Sequence, residues 1–137
     1  MTGLSVILAS ILLGLLYGHQ TVYLPEQAST ILDQHELAVV SFVEDWCDAC
    51  YRLSPVMQSI EDKMIGSSIR FAVVDLDNDR HAWQHYGVEA LPHVALFCEG
   101  TPIGYSGDLQ FDDIEVWIKA KVGRRPVHIG GRFGGDV

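Results

Sequence analysis

Three largely apolar runs of strand length, Leu37–Val43, Ile69–Leu76 and Val94–Cys98, constrain this chain more than any other feature. None alternates apolar with polar residues. A strand with one wet face alternates, whereas a strand covered on both faces does not. The runs therefore require helices on both sides of one sheet, and the segments between them supply these. Glu26–Glu36 carries Ala28, Ile31 and Leu32 on one helical face, after a Pro25 suited to a first helical position. A second helix opens at Cys47 and runs to about Ile65, with Leu53, Val56, Met57, Ile60 and Met64 at helical spacing. Pro55 lies inside it and is expected to kink it. A short helix follows Asp77-Asn78-Asp79 and ends at Tyr86, with Gly87 as its cap. Phe111–Val122 is amphipathic, with Ile114, Trp117, Ile118 and Val122 on one face. Short strands at Thr21–Leu24 and Pro102–Tyr105 complete the order β-α-β-α-β-α-β-β-α. The expected class is α/β, a central mixed β-sheet flanked by helices.

The 137 residues amount to one domain with two atypical ends. Residues 1–20 carry no charged side chain, and Leu4–Tyr17 is almost wholly apolar. A spanning helix needs about 20 apolar residues, and a signal-peptide core about 7–15. The segment falls between the two. It has neither a basic start nor an Ala-x-Ala site, so a retained membrane anchor, in contact through residues 1–18, is preferred to a cleaved signal. A buried core helix is the third reading, set aside because the remainder looks complete without it. An anchored or exported protein would work in a periplasm or secretory lumen rather than the cytosol. From Gly123 to Val137 no periodicity survives, as in a mobile Gly/Arg tail. The expected parts are thus 1–20, 21–122 and 123–137. The net charge of −9 argues against nucleic acid as a partner.

Three cysteines are too few for a disulfide-stapled scaffold. Cys47 and Cys50 stand at Cys-x-x-Cys spacing where a strand runs into a helix. A sulfur at a helix start faces unpaired backbone N–H groups and the positive end of the helix dipole, which favour a thiolate. Cys50 lies on the same face, one turn deeper. Cys47 is then the exposed nucleophile of a disulfide exchange, and Cys50 the shielded thiol that resolves the mixed disulfide. Two other readings remain: half of a zinc site, which would need two more ligands, and a static disulfide in a binding module. Cys98 reads as a packing or surface thiol, and His93 as a satisfied, half-buried residue.

Four features in register resemble the thioredoxin superfamily over Thr21–Val122. They are Phe42-Val-Glu-Asp-Trp46-Cys47-Asp48-Ala49-Cys50, Pro55 five residues later, Val88-Glu-Ala-Leu91-Pro92 ahead of a strand, and a hairpin closing at Gly107. The resemblance implies a thioredoxin fold and a cis bond before Pro92. It also implies a client segment lying across Trp46, Leu91, Pro92 and Gly107. The implied activity is thiol–disulfide exchange with cysteines of other proteins, with no cofactor beyond the cysteine pair. A reductase or membrane electron donor would recycle it.

Two departures qualify this. The family's buried Asp, six residues before the nucleophile, is replaced by Ser41, and the Lys that accompanies it falls near Val73. Glu44 is the candidate substitute, acting on Cys50 through water. Glu44, Asp45 and Asp48 also surround Cys47, with Arg52 opposing them, and negative neighbours disfavour a thiolate. The expected poise is reductant- or isomerase-like. The rival functions are a non-catalytic thioredoxin-fold interaction module and a thiol carrier serving one client.

Overall fold

The computed structural model describes residues 20–123. The expected anchor at 1–20, its membrane contact through 1–18 and the tail from Arg124 onward lie outside these residues, apart from Gln20. Five strands and four helices follow in the expected order: β1 (Thr21–Tyr23), α1 (Pro25–Gln34), β2 (Leu37–Val43), α2 (Asp48–Lys63), β3 (Arg70–Asp75), α3 (Arg80–Tyr86), β4 (His93–Cys98), β5 (Thr101–Gly104) and α4 (Phe111–Gly123). The sheet order is β1-β3-β2-β4-β5. β1, β3 and β2 run parallel, and β4 and β5 are each antiparallel to the neighbour before them. This is the thioredoxin fold.

β2 is central, and all seven of its residues are buried. Its side chains divide by parity. Ala38, Val40 and Phe42 join Ala28 and Leu32 of α1 and Ala82 of α3 in one core. Leu37 and Val39 join Leu53, Met57 and Ile60 of α2 and Ile114 and Ile118 of α4 in the other. Each core excludes water from one face of the sheet, which is why β2 carries no alternation. Ser41 falls in the second parity class, facing α2, opposite Val73 of β3 and Val94 of β4.

Helix ends shift by a few residues from the sequence-based expectation. α2 begins at Asp48 and runs unbroken through Pro55 to Lys63, short of Ile65. Gly123 closes α4 and does not open the tail. Gly87 caps α3 at a φ of 69°, a left-handed conformation that glycine adopts without steric cost.

Candidate active site

The site forms where β2 stops. The chain turns after Val43, with the Cys47 N–H donating to the Glu44 carbonyl at 3.2 Å, and α2 starts at Asp48. Cys47 is therefore the N-cap and not the first helical residue. Its Sγ accepts the backbone N–H of Cys50 at 3.1 Å. The sulfur thus takes the place that a Ser or Asp oxygen holds in most caps. Cys47 and Cys50 form a disulfide with Cα atoms 5.3 Å apart. Val43, Val73 and the partly buried Val22, Ala49, Tyr51 and Leu91 pack around them. The sequence overstated the exposure of Cys47: it retains only 5% of its surface, against 1% for Cys50.

Trp46 is the exposed residue beside the pair, at 61%. Its indole N–H donates to Asn78 Oδ1 at 3.1 Å. Asp45 and Asp48 are exposed at the same rim, with Arg52 exposed as well. The Asp45 carbonyl accepts the Tyr51 hydroxyl at 2.6 Å. Asp48 sits in the first turn of α2, where the helix dipole favours its charge.

The Leu91–Pro92 bond is cis, and Leu91 packs against the cysteine pair. Pro92 and Gly107 line one cleft of about 330 Å³, with His93 and Tyr105 in its wall. The absence of a side chain at Gly107 has a local reason. A Cβ there would lie 2.5 Å from Tyr105 Oη, because the Tyr105 ring crosses this glycine while its hydroxyl donates to the Asp108 carbonyl. Of the expected client-binding residues, Trp46 precedes Cys47 in the chain and Leu91 packs against the pair, while Pro92 and Gly107 share a separate cleft. Burial lowers the His93 pKa below its ordinary 6.5, so this half-buried ring is held neutral. Cys98 ends β4, partly buried, as a free thiol.

Glu44 departs from the sequence expectation in its burial. It was the candidate base for Cys50 and part of the acidic rim, but only 1% of it is exposed and its carboxylate is committed elsewhere. Oε1 and Oε2 accept the Asn78 N–H at 2.8 and 3.0 Å, and Oε2 accepts the Trp83 indole N–H at 2.8 Å. A cavity behind Cys50 is lined by Ser41, Ser54 and Val73 among others, and Glu44 is not in its wall. The physical reason is parity and satisfaction. Glu44 follows the last residue of β2, and a buried carboxylate persists only where donors meet it. The loop after β3 and helix α3 bring those donors.

Two residues that sequence reasoning passed over thus matter here, Asn78 and Trp83. Asp77 and Asn78 have φ of 56° and 54°. Asp and Asn tolerate that conformation better than most residues, so the pair was a visible signal of a tight turn, though not of its partners. Desolvation raises the Asp75 pKa above its ordinary 3.8. The Asp77 N–H bond opposes that rise, and the charges of Glu44, Asp77 and Asp45 add to it. Among the described residues, no group of three or more His, Cys, Asp or Glu side chains is arranged to hold a metal ion.

Comparisons with known proteins agree with this geometry. The thioredoxin family model matches residues 21–120. A protein disulfide-isomerase of Drosophila melanogaster is 31% identical over 97 residues, covering 68% of this chain and 19% of that protein. A thiol:disulfide interchange protein TxlA homolog of Synechocystis is 31% identical over 129 residues, covering 87% of this chain and 71% of that protein. The chain spans only about a fifth, 19%, of the fly and rabbit protein disulfide-isomerases that it matches. Among solved structures, the zinc-bound form of human ERp44 superposes with a TM-score of 0.65 at 25% identity, over 74% of this chain and 30% of that one. A mutant thioredoxin from Halobacterium salinarum superposes at 0.63 and 22%, over 78% and 95%, a likeness of fold alone. A family match over most of the chain, with the Cys47–Cys50 disulfide at the head of α2, means that this chain belongs to the thioredoxin family.

Proposed function

We propose that this protein is a thiol–disulfide oxidoreductase that exchanges its dithiol or disulfide with cysteines of client proteins and works mainly as a reductant. The observation that carries the reading is the Cys47 sulfur capping α2 through the Cys50 N–H, with Cys50 beneath it. Cys47 attacks a client disulfide as the thiolate, one client sulfur leaves, and a mixed disulfide forms. Cys50 then attacks Cys47, the Cys47–client bond breaks, and the client departs as a dithiol. Two electrons pass from the cysteine pair to the client. The client segment runs beside Trp46, Leu91, Pro92 and Gly107, while Ala49 and Pro55 support the pair from α2.

The reductant-like poise rests on the exposed carboxylates Asp45 and Asp48, which oppose the thiolate form of Cys47. A strong oxidant instead needs its reduced form stabilised as a thiolate. Residues 1–20 serve as an anchor or export signal, 21–122 as the working domain and 123–137 as a tail. The domain then acts in a periplasm or secretory lumen, recycled by a reductase or membrane donor.

An insulin-reduction assay on the full chain and on Cys47→Ser tests this. The expected result is turnover that the substitution abolishes. Equal, negligible rates in both would favour a non-catalytic interaction module, a reading supported by the lack of any carboxylate among the described residues of the cavity behind Cys50. Cys50→Ala stalls the mixed disulfide, and the captured partners separate a general reductase from a one-client carrier.

A further inference from the structure

Cys50 must lose its proton to resolve the mixed disulfide, yet it is 99% covered, and a thiolate in apolar surroundings is disfavoured. Behind it lies a cavity of about 10 Å³, whose wall includes Gln20, Ser41, Cys50, Ser54, Met57 and Val73. Among the described residues, its wall contains no carboxylate, imidazole or ammonium group. Gln20, Ser41 and Ser54 in that wall are all buried polar residues. Ser54 has an interaction of its own. The Ser41 hydroxyl is different: it is buried on the α2 side of β2, and its Oγ has no hydrogen-bond partner among the described residues. A buried hydroxyl without a partner is rare and costly in native proteins. A polar cavity of this size accommodates about one water molecule.

We propose that Ser41 is the positioning residue for the resolving thiol: its hydroxyl holds one water between itself and the Cys50 sulfur, and that water donates to the thiolate as it forms. This deepens the oxidoreductase reading and rests on it. A hydroxyl and a water are neutral, so they stabilise the thiolate by hydrogen bonding and do not take its proton for good. In the balanced step, the Cys50–Cys47 bond forms and the Cys47–client bond breaks. The departing client sulfur carries away the electron pair, and the proton lost by Cys50 is matched by the one that sulfur takes up. Ser41 ends the step unchanged.

The test is an NMR titration of the Cys50 Cβ in the reduced full chain with Cys47→Ser, which removes the coupled titration of the pair. Ser41→Ala is expected to raise the Cys50 pKa by about one unit, the scale of a hydrogen bond to a charged group. Ser41→Thr keeps the hydroxyl in β2 and should leave the value near that of Ser41. In a Cys50→Ala background, Ser41→Ala should leave the Cys47 pKa unchanged, since the hydroxyl lies on the far side of the pair. If the alanine variant loses its fold by circular dichroism, Ser41→Val, isosteric with threonine but without the hydroxyl, takes its place: a raised Cys50 pKa relative to Ser41→Thr supports the proposal, and equal values overturn it. No shift with alanine, or an equal shift with threonine, overturns the proposal. The titration needs no turnover, so a protein that fails to reduce insulin but shows the shift would lose its function assignment and keep this one.

Discussion

The indole N–H of Trp83 is hydrogen-bonded to the buried carboxylate of Glu44 at 2.8 Å, joining helix α3 to the end of the central strand. The same carboxylate holds the Asn78 N–H, and the Asn78 side chain holds the Trp46 indole beside the disulfide. A chain of four residues therefore runs from the core to the exposed rim of the site. Trp83→Phe leaves the buried carboxylate one donor short. A buried polar group stripped of its partner costs about 1–3 kcal/mol, more when charged. Urea unfolding should show a loss of that size or larger. Glu44→Gln combined with Trp83→Phe should cost less than the sum of the single changes, because both act on one bond.

Asp48 has two opposed effects that one substitution separates. Its charge suits the first turn of α2 but opposes a Cys47 thiolate one residue away. Asp48→Asn should destabilise the fold slightly, by about 0.3–1 kcal/mol. It should also lower the Cys47 pKa by roughly half a unit. Iodoacetamide alkylation rates against pH, in the reduced chain, measure the second effect. A parent Cys47 pKa near 4, typical of strongly oxidising centres, would overturn the reductant reading.

Gly107 is confined by Tyr105. The methyl of Gly107→Ala must push the Tyr105 ring aside, breaking its bond to the Asp108 carbonyl and disturbing its contact with Trp117, whose ring centroid lies 5.1 Å away. The ring can swing, so the stability cost should be modest, on the order of 1 kcal/mol. The larger effect should be on KM for a protein disulfide, because the displaced ring enters the cleft shared with Pro92. In a Tyr105→Ala background the stability cost should vanish.

Two carboxylates give stability opposite dependences on pH. Glu115 pairs with Lys63 at 2.9 Å and Lys119 at 3.2 Å, and the Lys63 contact above all lowers its pKa below the ordinary 4.5. Its folded form ionises more readily than its unfolded form. The stability it adds is present above pH 4.5 and is lost as pH falls through the lowered value. Asp75 behaves in reverse: with a pKa raised above 3.8, its contribution is fully present below that value and is lost as pH rises through the raised one. Glu115→Gln should therefore lower the urea midpoint at pH 7 and converge on the parent at strongly acid pH. Asp75→Asn, which keeps an acceptor for the Asp77 N–H, should raise the midpoint at pH 7 and lose that gain in acid.

The architecture was legible because it follows from local patterns. The seven residues of β2, buried throughout, are the run Leu37–Val43 read from the sequence. The spacing of Leu53, Met57 and Ile60 placed one face of α2 against the sheet. The cysteine pair and Pro92 were legible for a different reason, the resemblance of four motifs in register. The burial of Glu44 was not legible because nothing near it in the chain reports Trp83, which is 39 residues away. Proximity in sequence to Cys47 suggested an exposed rim carboxylate, whereas Glu44 is buried among donors from distant segments.

By itself, then, the sequence determined which segments are strands and helices and that a sulfur pair sits at a strand–helix junction. Periodicity and capping are properties of neighbouring residues. Only the tertiary structure decided what surrounds that pair. The parity of β2 turns Ser41 toward α2 and the cavity behind Cys50. The turn after β3 and helix α3 bring Asn78 and Trp83 to Glu44 and satisfy it. Burial and hydrogen bonding depend on contacts between segments far apart in the chain, and these arise only when the sheet and its two helical layers close.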